Sequence, residues 1–261
     1  PKDISWHVQD QNIEDINFDD DSDLIAISFF TPQSGYAYEL GDEFMRRGKT
    51  VVMGGMHPSM IPEDAKKHSH SVCVGEGDLV WKDILNDFKN GNLKEYYRPV
   101  YFPEDDKISS PLVGIFDVED KYDWHASLLS ITRGCPFNCS WCNIPIYQGG
   151  RTRFRPMDVV VEDMRRLSGK EFYVTDDMIM LKRKDIKDYM LELCERVKDF
   201  NLNMFLSCSP AMNTDPEFLD AIAKAGAKSM YTVFASDPFS KAFFEKSPRF
   251  LQKCIDLVKI L

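Results

Sequence analysis

Three cysteines stand within eight residues, Cys135, Cys139 and Cys142, directly behind an apolar strand-like run, Ser127 to Thr132. The segment reads Arg133-Gly-Cys-Pro-Phe-Asn-Cys-Ser-Trp-Cys-Asn143, so thiolates recur at i, i+4 and i+7 on a Pro- and Gly-marked loop short enough to wrap around one cluster. Thiolate is the ligand that soft iron–sulfur centres select. Three thiolates on a four-iron cluster leave one iron without protein coordination, and an exogenous molecule can bind there. Structural zinc fits less well, since it usually takes four closed ligands and the nearest further candidate, His125, lies before the strand. A redox thiol pair would need only the CxxC half of the pattern.

The loop belongs to a longer alternation of strand-like and helical runs, the signature of parallel sheets covered by helices. In the first hundred residues the strands are Leu24 to Phe30, Thr50 to Met53 and Ser71 to Val74. Helical patterns fill Ala37 to Arg47, ended by Gly48, then Pro62 to His68, then Leu79 to Lys89, closed by Asn90-Gly91. Residues 92–126 are irregular and rich in Pro, Tyr and acidic side chains, and the connection between two domains is placed at 99–126. The alternation then restarts with strand Ser127 to Thr132, the cysteine loop, helix Met157 to Leu167, strand Glu171 to Thr175 and helix Arg183 to Phe200. Strand Asn203 to Cys208, helix Asp215 to Ala225 started by Asn213 or Thr214, strand Lys228 to Phe234 and a last helix from about Arg249 follow.

Turns follow each early strand: Thr31-Pro-Gln-Ser-Gly35, Gly54-Gly-Met-His57 and Gly75-Glu-Gly77. They lie at the carboxyl edge of the sheet, where open parallel sheets bind ligands. Glycines there let a ligand approach the backbone, and Thr31 and Ser34 supply hydroxyls.

A formal net charge of −10 disfavours a duplex nucleic acid partner, which needs many Lys and Arg contacts to phosphate. Arg151, Arg153 and Arg155 form one local basic stretch, read as either an anion contact or a solvated turn. No run approaches the roughly 20 apolar residues of a membrane span, and the first residues lack a signal-peptide pattern, so a soluble cytoplasmic protein is expected. Seven cysteines without a secretory signal argue against a disulfide framework. Cys73, Cys194, Cys208 and Cys254 fall in strand or helix patterns and are read as packing residues, with Cys208 at a strand end.

The CxxxCxxC spacing, with Trp141 before its last cysteine, closely resembles the radical S-adenosylmethionine superfamily. In that family the free iron chelates S-adenosylmethionine, and reduction yields a 5′-deoxyadenosyl radical that takes hydrogen from a substrate. Val51-Val-Met-Gly-Gly-Met-His-Pro58, Val72-Cys-Val-Gly-Glu-Gly-Asp78 with Trp81, Tyr147 to Pro156 and Thr175-Asp-Asp177 resemble its cobalamin-dependent branch. The resemblance implies an α/β chain: a Rossmann-like, doubly wound cobalamin-binding domain at 1–98, then a partial (β/α) barrel at 127–261. Compared with the family it implies a fragment, lacking a first strand and stopping after the fourth βα unit.

It further implies a 4Fe-4S cluster on Cys135, Cys139 and Cys142. Cobalamin contacts are implied at Thr31, Ser34, Gly54, Gly55, His57, Gly75, Glu76 and Gly77, and S-adenosylmethionine contacts at Trp141, Asp176, Asp177, Ser207 and Ser236. Departures accompany the matches. No Asp-x-His-x-x-Gly motif is present, so His57 is expected to line the nucleotide-tail groove rather than bind cobalt. Thr175-Asp176-Asp177 stands where many relatives have Gly-Gly-Glu, and Val233-Phe-Ala-Ser236 where many have a Gly-Phe-Glu-Ser-like segment. The implied activity is C-methylation of an unactivated carbon in a small-molecule or peptide substrate, through the 5′-deoxyadenosyl radical and methylcobalamin, with flavodoxin or ferredoxin as reductant. A cyclase or oxidase using the same cofactors, and a non-catalytic cofactor-binding or electron-transfer module, are the alternatives.

Overall fold

The computed structural model describes residues 4–99, 108, 127–137, 139, 142–208, 213–232 and 252. They fall into two compact units, 4–99 and 127–232, the second also taking residues 108 and 252.

In the first unit the order is β1 (Leu24–Ser28), α1 (Ser34–Arg46), β2 (Thr50–Gly54), α2 (Met56–Met60), α3 (Pro62–Ala65), β3 (Ser71–Cys73), α4 (Trp81–Lys89) and β4 (Tyr96–Tyr97). The four strands pair in parallel in the order β1-β2-β3-β4. Val51 and Met53 pack with Ala37 and Phe44 of α1 and Ala65 of α3, whereas Val52 and Cys73 pack on the other face with Ile84 of α4. Helices on both faces explain why Val51, Val52 and Met53 are apolar without alternation. At the end of α1, Gly48 takes φ 79°, its N–H donates to the Met45 carbonyl (2.9 Å), and the Lys49 N–H donates to the Phe44 carbonyl (3.0 Å). This Schellman closure is the cap expected at Gly48.

Two elements were absent from the sequence reading. Gly54 to His57 reads as a turn in the sequence, yet its second half opens α2, Met56–Met60, in spite of Pro58. Tyr96–Tyr97 lies in the stretch read as irregular; Tyr97 is buried and its hydroxyl donates to Asp87 (2.8 Å), which fixes β4 at the sheet edge. The helix expected over Pro62 to His68 is α-helical only to Ala65 and continues as a 3-10 turn at Lys66–His68.

The second unit runs β5 (Ser127–Leu129), β6 (Thr132–Arg133), α5 (Ile144–Gln148), β7 (Arg153–Phe154), α6 (Met157–Arg166), β8 (Glu171–Val174), α7 (Lys184–Val197), β9 (Asn203–Cys208), α8 (Pro216–Lys224) and β10 (Ala227–Thr232). Strands β5, β8, β9 and β10 form a parallel sheet in that order, and β6 pairs antiparallel with β7. One face of the parallel sheet buries Leu129, Phe172, Val174, Met204 and Leu206 against α6, α7 and α8, with Met164, Met190, Leu193, Phe218 and Ile222 in contact. Each such side chain contributes about 1.5–3 kcal/mol. Leu128, Tyr173 and Phe205 stand in register on the opposite face, where Leu128 is exposed.

The cap of α8 is Asp215, rather than Asn213 or Thr214: its carboxylate accepts from the Glu217 N–H (3.1 Å), and Pro216 opens the helix. The expected last helix from Arg249 lies outside the described residues, apart from Gln252. Among the described residues no helix is long and apolar enough to cross a membrane.

Gly41 lies inside α1, where replacement by Ala ordinarily stabilises by about 0.5–1 kcal/mol. Here a Cβ would stand 2.3 Å from the His68 carbonyl oxygen and 2.5 Å from Met53 Cε, so the sign reverses. Gly41→Ala is expected to lower the urea midpoint of the first unit, and a raised midpoint would show that α1 is free to shift.

Candidate functional site

The run Ser127 to Thr132 is not one strand. β5 pairs with β8 only as far as Leu129, whose carbonyl accepts from the Thr175 N–H (2.8 Å) and hydroxyl (3.3 Å). The chain then turns away at Ser130 and joins β7 as β6. Buried backbone groups along this departure need partners. Arg155 takes the carbonyls, donating from Nη1 to Ser130 O (2.5 Å) and from its backbone N–H to Ile131 O (3.1 Å). Asp176 takes the donors: Oδ2 accepts the Ile131 N–H (2.7 Å), and Oδ1 accepts both the Thr132 N–H and the Thr132 hydroxyl (2.5 Å). Burial pushes the Asp176 carboxyl up to about 7, against these hydrogen bonds, which pull it down.

Arg155 is held in turn by Asp163 (2.5 Å), and its own carbonyl accepts from the Tyr189 hydroxyl (2.8 Å). Arg153 is buried as well and donates to the Gln148 carbonyl (2.7 Å). Two of the three arginines read as an anion contact or solvated turn are therefore interior braces; Arg151 alone is exposed.

The cysteine loop leaves β6 through Gly134 at φ 86°, where a Cβ would meet the Arg151 carbonyl oxygen at 2.3 Å and those of Gln148 and Gly149 at 3.0 Å. The Gly134 N–H donates to Gln148 Oε1 (3.1 Å), which ties the start of the loop to α5. Cys135 is buried, and Cys139 and Cys142 are half-buried, with the Cys142 N–H donating to the Cys139 carbonyl (3.1 Å). Burial pushes the Cys135 thiol up, as do the negative charges of Asp177, Cys142 and Cys139. Three thiols on one short loop are a donor set suited to an iron–sulfur cluster. Among the described residues no three His, Cys, Asp or Glu side chains close on a point as ligands of a single ion would. Trp141 and Ser236 lie outside the described residues, as do His125 and Cys254.

Asp176 and Asp177 differ sharply. Asp176 has given both oxygens to the backbone and hydroxyl just described, whereas Asp177 is half-buried, has no hydrogen-bond partner among the described residues, and has its carboxyl raised by burial. Ser207, at the end of β9, shares a hydrogen bond (2.8 Å) with the Tyr173 hydroxyl, a partner that the sequence reading missed. Cys73 and Cys194 are buried, with thiols pushed up to about 11 and about 12, as inert packing residues should be. Cys208 is half-buried.

In the first unit the three turns are tied together. His57 is buried and uses both ring nitrogens, one with Tyr38 Oη (3.0 Å) and one with Thr31 Oγ1 (3.1 Å). Ser59, not singled out in the sequence, donates to the Gly55 carbonyl (2.6 Å) and accepts the Gly75 N–H (2.8 Å). Gly55 has φ 95°, and a Cβ on it would stand 2.9 Å from the backbone N and O of Phe29, so the end of β1 demands this glycine. Gly54, Gly75, Gly77 and Ser34 are half-buried at the same sheet edge, and Glu76 is buried. Braced turns with partly open backbone suit a large ligand lying along the edge.

Residues 129–243 match the model of the Radical SAM superfamily. Bacteriochlorophyllide d C-8(2)-methyltransferase of Chlorobaculum tepidum is 34% identical over 83% of this chain and 51% of its own length. The C-12(1)-methyltransferase of the same organism is 29% identical over 82% of this chain and 48% of its own. The chain thus spans about half the length of these curated relatives. Among solved structures, the radical S-adenosylmethionine methyltransferase TsrM from Kitasatospora setae, with cobalamin and a [4Fe-4S] cluster bound, superposes with a TM-score of 0.68 at 19% identity, covering 82% of this chain and 49% of that one.

Gly134→Ala adds both a left-handed strain of about 1–2 kcal/mol and a clash with three carbonyls. Reconstituted protein with this change is expected to retain far less iron than wild type, and equal retention would show that the loop base is dispensable. A second expectation concerns pH. Folded Asp176 keeps its proton up to about 7, whereas the unfolded chain releases it near 3.8, so between these values the folded state binds more protons and stability falls as pH rises. The urea midpoint of wild type, referenced to Asp176→Asn at each pH, should decline across that window and then level off. A constant difference would contradict the raised value.

Proposed function

Because this chain belongs, through residues 129–243, to the radical S-adenosylmethionine superfamily, we propose that it acts as a cobalamin-dependent C-methyltransferase on an unactivated carbon. One observation carries the reading: Cys135, Cys139 and Cys142 share a loop whose base is fixed by the β6–β7 pair and by Gly134, in a chain 34% identical to a C-methyltransferase. When bound, the cluster and S-adenosylmethionine supply a hydrogen-abstracting radical, and cobalamin supplies the methyl group.

The chain's own residues divide that work. Cys135, Cys139 and Cys142 would hold the cluster, Cys135 from a buried position and the other two from half-buried ones. Asp177, whose oxygens have no hydrogen-bond partner among the described residues, is the carboxylate available to the amino group of S-adenosylmethionine. Ser207, oriented by Tyr173, offers a hydroxyl at the same sheet edge. Residues 1–98 form the cobalamin-binding domain, 99–126 the connection and 127–261 the radical domain. Within the first, Thr31, Ser34, Gly54, Gly75, Glu76 and Gly77 line the edge, with His57 and Gly55 shaping it from behind. The substrate is a small molecule or peptide, the reductant a flavodoxin or ferredoxin, and the setting the cytoplasm.

Anaerobic reconstitution with iron, sulfide and cobalamin tests this. Wild type is expected to take up cobalamin and a four-iron cluster, to release 5′-deoxyadenosine on reduction, and to give a product heavier by one methyl when the donor methyl is labelled. Replacing Cys135, Cys139 or Cys142 by Ala should abolish the iron and the 5′-deoxyadenosine together. Failure to bind cobalamin would defeat the methyltransferase reading, 5′-deoxyadenosine without a mass gain would favour a cyclase or oxidase, and its absence would leave a binding module.

A further inference from the structure

The pair Asp176-Asp177 contains one carboxylate with no role in the site as described so far. Asp176 is 3% exposed, and its two oxygens face three donors: the N–H groups of Ile131 and Thr132 and the Thr132 hydroxyl. Those donors sit where β5 has lost β8 as a ladder partner, at two buried residues three and four positions before Cys135. From the other side Arg155 binds the Ser130 and Ile131 carbonyls and is paired with Asp163. The three residues that launch the cysteine loop are thus held by two buried residues, Asp176 through its carboxyl and Arg155 through its guanidinium at Ser130 and its backbone N–H at Ile131.

We propose that Asp176 is a positioning residue for the cluster loop, fixing the path of Ile131 and Thr132, and through them the placement of Cys135, without touching cluster or S-adenosylmethionine. In its ionised form, held above about pH 7, the carboxylate offers acceptors only and every facing group is a donor, so the comparison below is made at pH 8. An amide of the same shape turns an NH2 toward at least one N–H or O–H. Outer-shell partners of this kind orient metal ligands, and their loss commonly costs roughly 10–100-fold in metal affinity. The inference rests on the cluster assignment of the preceding section.

The test compares wild type, Asp176→Asn and Thr132→Val in the full chain, reconstituted anaerobically and measured before S-adenosylmethionine is added. Thr132→Val deletes one hydrogen bond and keeps both backbone donors, so it remains informative should Asp176→Asn fail to fold by circular dichroism. The expected result is a changed electron paramagnetic resonance spectrum of the reduced cluster, and loss of iron to a chelator roughly 10-fold faster in Asp176→Asn. A smaller change of the same kind is expected in Thr132→Val. Variants whose cofactor-free cluster matches wild type in spectrum and chelation rate would overturn the proposal. So would an Asp176→Asn cluster that differs only once S-adenosylmethionine is present, the mark of a direct contact. A wild type that takes up no iron would sink the cluster assignment and this inference with it; normal loading beside unaltered variants would sink this inference alone.

Discussion

Where β5 leaves its parallel partner after Leu129, two buried backbone N–H groups are stripped of a ladder acceptor, and the second unit is arranged around how they are satisfied. A backbone donor left unpaired in the interior costs about 1–3 kcal/mol, so the departure of the chain requires an acceptor from elsewhere. β8 supplies it one residue past the start of its own turn, as Asp176. The same departure exposes carbonyls, and Arg155 arrives from the residue after β7 to meet them. Strand pairing, the antiparallel β6–β7 pair and the loop that carries the cysteines therefore share one hydrogen-bond network.

Buried charge is an expensive way to close such a network. Desolvating Arg155 and Asp163 offsets much of their attraction, and an apolar substitute of similar volume can be as stable, while removal of one partner is strongly destabilising. What the charged pair adds is a single arrangement: a guanidinium that donates at once to Asp163 and to Ser130 O holds two elements in one register. On the cluster reading proposed above, a loop that presents three thiols would benefit from that fixity more than from extra stability.

The alternation of strands and helices was legible because parallel strands covered by helices read as apolar runs, as at Val51 to Met53, and because Gly48 and Gly91 mark helix ends with positive φ. The cysteine loop was legible from side-chain chemistry alone. What escaped was decided by tertiary pairing. Ser127 to Thr132 is uniformly strand-like, and nothing local announces that it changes partners at Ser130. Tyr96–Tyr97 is too short to show a period, and the arginines at 153 and 155 look like a surface turn until Gln148, Asp163 and Ser130 are brought to them.

The same accounting separates side chains that build the site from those able to act in it. His57 has both ring nitrogens committed to Tyr38 and Thr31, and Gly55 is required by its contact with Phe29, so their motif positions reflect how the β2–α2 turn is held against β1. Ser59 extends that brace to Gly75. Asp176 is committed in the same sense, whereas Asp177, one residue later, has no hydrogen-bond partner among the described residues and helps to raise the Cys135 thiol. Two adjacent carboxylates that look interchangeable in sequence thus do opposite work. The first gives both oxygens to the Ile131 and Thr132 N–H groups and the Thr132 hydroxyl; the second has no such partner among the described residues and is left half-buried at the strand end.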